Sequence, residues 1–217
     1  MIAELAPNER TLIERKAKRS VLWIGIISIL MLFAGLTSGY IVRQGEGKWV
    51  QFDLPMTFAI STIIIALSSL PMQWAVVSIK KGNQKNLVTA LIITAFLGIS
   101  FVFSQYIAWS ELFNQGIAFS GRIKDVKGDF LYIPAGTESV TDAGDAGNVA
   151  GSFLYVITGL HVMHLLGGII ALFIVFSRAL RKKYTSADYN GVRMCALYWH
   201  FLGGLWVYLF FFLLYVR

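Results

Sequence analysis

Five long apolar runs, none of which contains an aspartate, glutamate, lysine or arginine, constrain this chain of 217 residues more than any other feature. Each run is long enough to cross a bilayer as a helix, which takes about 20 residues. A soluble domain carries about 25% charged residues, whereas only 14% of the residues here are charged. The pattern predicts an all-α integral membrane protein, a single domain over residues 1–217 with a bundle of five transmembrane helices. The predicted spans are residues 21–42, 56–79, 87–110, 150–176 and 194–216.

Lysine and arginine are distributed unevenly between the two sides of such a bundle. The N-terminal segment and the second and fourth connections together hold 13 basic and 4 acidic residues, and the opposite side holds 6 basic and 8 acidic residues. Because cytoplasmic loops are enriched in lysine and arginine, we predict that the N-terminus lies inside and the C-terminus outside. The formal net charge of +7 is then a topology signal, and we expect no nucleic-acid partner.

The third connection, residues 111–149, is the one long loop and is predicted to face outside. Apolar and polar residues alternate in its first half, on both sides of Lys127-Gly128-Asp129. Such alternation around a turn sequence favours a short β-hairpin.

Three histidines within the predicted spans, His161, His164 and His200, are the candidates for chemistry, since titratable groups inside a bilayer are often functional. Metal ligation lacks support, because no carboxylate or second cysteine completes a ligand set. A haem between two histidines would need facing helices with room for the macrocycle. A proton relay usually includes aspartate or glutamate, and the spans have neither. We therefore predict no catalytic, cofactor-binding or metal-binding residue in this chain.

The remaining interpretation is that these side chains form polar contacts between helices, each contributing about 0.6 kcal/mol. His161 shares one helix face with Thr158, Leu165 and Gly168, as expected for a helix–helix contact. On this hypothesis, His161→Leu lowers the stability of the assembled protein more than its turnover. Trp206 lies deep in its span and is predicted to pack against another helix. Tryptophans near span ends, Trp109 and Trp199 among them, are typical of the aromatic belts at membrane surfaces.

The last two spans carry a more specific pattern. Residues 151–164 read GSFLYVITGLHVMH, and residues 198–201 read YWHF, followed by Trp206. Both stretches resemble motifs of subunit III of cytochrome c oxidase and related haem-copper terminal oxidases. Gln73-Trp74-Ala75 and Gln105 are similar to that family's earlier helices. The order of all five spans is similar to the short, five-helix bacterial form.

The resemblance implies a non-catalytic subunit of a proton-translocating terminal oxidase, in the bacterial inner membrane, acting in aerobic respiration. It implies haem and copper in a partner, the catalytic subunit I, with subunit II as a second partner and bound phospholipid as a ligand. Another respiratory complex is a further candidate partner for the outer loop. We hypothesise that this chain stabilises the catalytic subunit and binds lipid, with lipid-binding and helix-packing contacts made by His161, His164, His200, Thr158, Gln105 and Trp206.

Three departures from the family pattern each remove a carboxylate within the membrane, one of them being Leu202-Gly203-Gly204-Leu205 in place of Val-Asp-Val-Val in the last helix. Ile29 stands where the family commonly has a membrane-buried glutamate, and Ala108 stands where it usually has another. We therefore expect that protons do not pass through acidic groups of this chain. The resemblance leaves the electron donor open between a cytochrome c and a quinol. Three alternatives also stay open: the accessory subunit of a nitric-oxide reductase, a stand-alone transporter or channel, and a haem-binding membrane enzyme.

Overall fold

The computed structural model describes residues 7–45, 49–115, 117, 119, 131–132 and 149–216. Within these ranges five helices are long and apolar enough to cross a membrane, which confirms the prediction of five spans. The helices are α1 (Pro7–Gln44), α2 (Met56–Lys80), α3 (Gln84–Asn114), α4 (Val149–Leu180) and α5 (Asn190–Tyr215).

Helix α1 begins 14 residues before the predicted span at Val21 and so extends it by about 21 Å, at 1.5 Å per residue. The added segment is rich in glutamate, lysine and arginine, which favour helices even where they are exposed to water. Pro7 is suited to the first helical position, because the N–H that proline lacks would have no partner there.

The four helices α2 to α5 form the centre of the bundle. Helix α2 packs against α3 and α5, and α4 also packs against α3 and α5. Helix α1 lies outside this group and packs against α4 and α5. Only 17% of its apolar window is buried, against 33–39% for the other four helices. The five largest fully buried side chains are Trp199, Trp206, Phe33, Phe58 and Phe101, and of these five only Phe33 comes from α1.

Two short strands lie at the end of the bundle where α2 begins. Strand β1 (Val50–Gln51) pairs with β2 (Leu131–Tyr132) in antiparallel fashion, with Val50 opposite Tyr132. The turn of the hairpin predicted around residues 127–129 lies outside the described residues. The described part of that segment, Leu131–Tyr132, pairs with β1 in the first connection.

The long third connection begins later than predicted. Helix α3 continues to Asn114, so that residues 111–114 are helical rather than the start of the loop. The Thr57 hydroxyl on α2 donates one hydrogen bond to the Glu111 carboxylate and lies 2.8 Å from both of its oxygens. A cross-helix contact of this kind supports the last turn of α3, and it cannot be recognised from hydropathy.

Candidate functional site

His161 is fully buried in α4 and is surrounded by aromatic rings from three other helices. Its ring centroid lies 6.3 Å from that of Phe33, 6.0 Å from that of Phe101 and 4.9 Å from that of Trp206. Neither of its ring nitrogens has a hydrogen-bond partner among the described residues. The hydrogen bond that the sequence led us to expect from this side chain is therefore replaced by contacts between rings.

His164 lies one turn further along α4 and is half-buried. Its Nδ1 is 2.7 Å from the carbonyl oxygen of Leu160, so this nitrogen donates within its own helix. The Phe33 ring, 5.8 Å away, contacts His164 as well as His161. The two histidines thus share one aromatic neighbour on α1.

A polar turn near the start of α2 connects three helices. The carbonyl oxygen of Phe58 accepts hydrogen bonds from the hydroxyls of Ser61 and Thr62, each at 2.8 Å. Gln105 of α3 donates from Nε2 to the Ser61 hydroxyl at 2.7 Å. Trp206 of α5 donates from Nε1 to the Thr62 hydroxyl at 3.0 Å. We call Phe58, Ser61 and Thr62 the α2 polar turn.

Two further tryptophans donate to hydroxyls on neighbouring helices. Trp199 is fully buried, and its Nε1 donates to Ser68 of α2 at 2.9 Å. Trp109 of α3 donates to the Thr158 hydroxyl of α4 at 3.1 Å. The prediction that Trp199 belongs to an aromatic belt is therefore wrong, because a hydroxyl on α2 gives its indole a partner inside the bundle.

Trp199 also contacts α3 closely. A Cβ atom built on Gly98 would lie 2.6 Å from Cη2 of the Trp199 ring, far inside van der Waals contact. The absence of a side chain at Gly98 thus lets the indole reach Ser68. The sequence analysis did not predict this contact. The one feature of the sequence that points to it is Gly98, the single glycine in α3.

One groove of about 730 Å³ lies between α1, α4 and α5. Leu22, Ala171 and Ile174 form part of its apolar wall, and basic and acidic side chains line its other end. We call it the paired groove, because two ion pairs lie at that end. The pairs are Arg15–Asp188 at 3.3 Å and Lys18–Glu14 at 3.6 Å.

Tyr184 lies in the same groove, in the connection between α4 and α5. Burial raises the pKa of its hydroxyl, and the neighbouring Arg178 guanidinium opposes that rise. The backbone carbonyl of Tyr184 accepts a hydrogen bond from the side-chain amide of Gln84, at the start of α3. This connection therefore joins the groove to the rest of the bundle.

His200 stands apart from the other two histidines. It is half-buried and lines a second groove, of about 310 Å³, between α1, α2 and α5. The six predicted contact residues thus do not form one site, since Thr158 pairs with Trp109 and His200 lies in another groove. Trp206 contacts His161 directly and shares the α2 polar turn with Gln105, Thr158 binds Trp109, and His164 adjoins Phe33. Within the described ranges, no three histidine, cysteine, aspartate or glutamate side chains are placed to share a metal ion.

Comparison with known proteins gives one family. The family model for cytochrome c oxidase subunit III matches residues 137–217. A probable cytochrome c oxidase subunit 3 of Mycobacterium leprae is 28% identical over 203 residues, which cover 91% of this chain and 86% of the relative. The cytochrome c oxidase subunit 3 of Corynebacterium diphtheriae is 26% identical, over 83% of this chain and 79% of the relative. A probable subunit 3 of Rickettsia conorii is 32% identical, over 81% of this chain and 54% of the relative.

Proposed function

We propose that this chain belongs to the cytochrome c oxidase subunit III family and that it is the non-catalytic subunit III of a haem-copper terminal oxidase in a bacterial inner membrane. The observation that carries the proposal is similarity along almost the whole chain, 91% of it, to relatives that bear this name. The five apolar helices agree with an integral subunit. Its partners are then the catalytic subunit I, which holds haem and copper, and subunit II.

The role we propose for this chain within that complex is structural. At the two positions where the family pattern has glutamates, this chain has Ile29, which packs against the core, and Ala108, which is fully buried. A carboxylate introduced at either position would have to lose its hydration, which is costly unless a partner is provided. Proton uptake and oxygen reduction are therefore assigned to the partner subunits.

We further propose that the paired groove holds a phospholipid. Its apolar wall suits an acyl chain, and Arg15, Lys18 and Arg178 at its charged end suit the phosphate of a headgroup. Glu14 and Asp188 lie beside these cations, so that a zwitterionic headgroup finds both signs of charge. The lipid would fill the space between α1 and the central helices and so stabilise the subunit.

The orientation is also a proposal. Arg15, Arg178 and Met194 line the same end of the paired groove, so the start of α1, the end of α4 and the start of α5 lie together. All three bring basic flanks to one face of the membrane. This clustering supports an N-terminus on the inner side.

The test is purification of the complex in mild detergent through a tag on this chain, with identification of the proteins and metals that accompany it. We expect copper, haem and two further subunits, with oxygen consumption. A partner with non-haem iron and nitric-oxide reduction would overturn the assignment in favour of a reductase. A chain that purifies alone and takes up solute in liposomes would overturn it in favour of a transporter.

A further inference from the structure

The groove that contains His200 is chemically unlike the paired groove. Three basic side chains line it, each from a different helix: Arg19 from α1, Lys80 from α2 and Arg193 from α5. Neutral polar groups lie among them, namely the His200 imidazole and the amides of Gln73 and Asn190. We call this the unpaired groove.

No acidic residue lines this groove, and none of its three cations forms an ion pair with a described residue. The paired groove, on the other side of α1, balances Arg15 with Asp188 and Lys18 with Glu14. Three like charges around one concave surface repel one another, and concave sites between low-dielectric walls concentrate the potential. An anion that contacts all three cations would neutralise their charge and so offset that repulsion.

The groove also has an apolar floor. Trp23, Val76 and Leu197 lie beneath the charged side chains, and the Trp23 side chain remains 43% exposed. A surface with clustered cations above apolar side chains suits a group that is anionic at one end. Arginine and lysine both bind phosphate oxygens, arginine through two parallel N–H groups and lysine as a point charge.

We propose that the unpaired groove binds a phosphate group through Arg19, Lys80 and Arg193. The phosphate belongs either to an anionic phospholipid or to a free phosphate ion, and His200, Gln73 and Asn190 supply neutral hydrogen bonds. The proposal rests on the charge pattern around this groove and does not depend on which enzyme the chain assembles with.

The experiment compares two triple variants of the tagged, full-length chain in its purified complex. The first, Arg19→Gln/Lys80→Gln/Arg193→Gln, removes the three groove cations. The matched control, Lys81→Gln/Lys85→Gln/Lys183→Gln, removes three exposed cations near the same end of the helices that do not line the groove. Both variants change the net charge by the same amount, so a general attraction of anions would be weakened equally in the two.

Two probes distinguish the sources of the phosphate. One is phosphatidylglycerol, titrated against phosphatidylcholine by native mass spectrometry of the delipidated complex. The other is inorganic phosphate, titrated by calorimetry in detergent. At roughly fivefold per basic residue, we expect the groove variant to lose at least about tenfold in affinity for the phosphate probe, and the control less than about threefold.

Loss confined to phosphatidylglycerol would identify a lipid site, and loss of inorganic phosphate binding as well would identify a site for the free ion. Equal losses in the two variants would overturn the proposal, because only the general charge of this face would then matter. The proposal would also fail if the groove variant bound both probes normally but lost a partner subunit, since the cations would then pair with that partner's carboxylates. Circular dichroism and co-purification confirm that each variant has folded.

Discussion

The centre of the bundle and the margin around α1 are held together in different ways. In the centre, buried side chains meet at defined atoms: Trp206 on Thr62, Trp199 on Ser68 and Gln105 on Ser61. At the margin, α1 buries few residues and is flanked by two open grooves lined with charge. Within a bilayer, apolar area gives helices no preference for one another over lipid. Packing and hydrogen bonds must therefore fix the centre, and the margin is left with room for ligands.

The largest effect that tests this comparison is expected at Gly98. Gly98→Ala places a methyl group 2.6 Å from the Trp199 ring, and overpacking of this kind costs about 1–3 kcal/mol. We expect a clear fall in the thermal unfolding midpoint of the purified complex. Gly159→Ala is the matched control, since no atom of another helix lies within 4 Å of its added Cβ. Equal midpoints for the two variants would contradict the tight packing described for the centre.

An effect of similar or slightly smaller size is expected at the α2 polar turn. Thr62→Val leaves the buried indole N–H of Trp206 without its acceptor, at a cost of about 1–3 kcal/mol. His161→Leu removes a side chain whose nitrogens have no partner among the described residues, so we now expect it to cost less than Thr62→Val. Unfolding midpoints of the two variants test this order. The reverse order would show that His161 makes a polar contact in the assembled complex.

At the margin, Asp188→Asn removes the carboxylate that balances Arg15 in the paired groove. Both partners are about half exposed, so the stability should change by no more than about 1 kcal/mol. The lipid preference should change instead, with phosphatidylglycerol bound several-fold more tightly relative to phosphatidylcholine. Native mass spectrometry of the bound lipids measures that ratio. An unchanged ratio would mean that ion pairing does not distinguish the two grooves.

The smallest effect concerns pH. The raised pKa of Tyr184 means that the folded chain holds the neutral phenol more strongly than the unfolded chain does. This contribution to stability is present below the ordinary tyrosine pKa of about 10 and is lost as the pH rises through the higher, folded value. We expect Tyr184→Phe to abolish that part of the fall in stability at alkaline pH. Unfolding midpoints from pH 8 to about 11 measure the difference, and identical profiles would rule out this contribution.

Sequence alone predicted those features that depend on hydropathy or on helical periodicity. The five spans follow from the apolar runs, and the face that carries Thr158, His161 and Leu165 is buried in the structure. The helical extension before Val21 was not predicted, since hydropathy does not register a polar helix in water.

Features that depend on which helices are neighbours were not predictable from sequence. The burial of Trp199 requires a hydroxyl 131 positions earlier in the chain and a glycine on a third helix. The division of the basic residues between two grooves likewise depends on where α1 lies against α4 and α5. The uneven distribution of lysine and arginine predicts that these residues lie on one side of the membrane. It does not show which of them have acidic neighbours.

The α2 polar turn has one more consequence. The Ser61 and Thr62 hydroxyls each give their own proton to the Phe58 carbonyl, so they can only accept from outside. The groups that donate to them are an indole N–H and an amide N–H. Neither group releases its proton in ordinary chemistry, unlike the carboxylates and imidazoles along which protons hop. This buried network therefore joins three helices through donors that keep their protons.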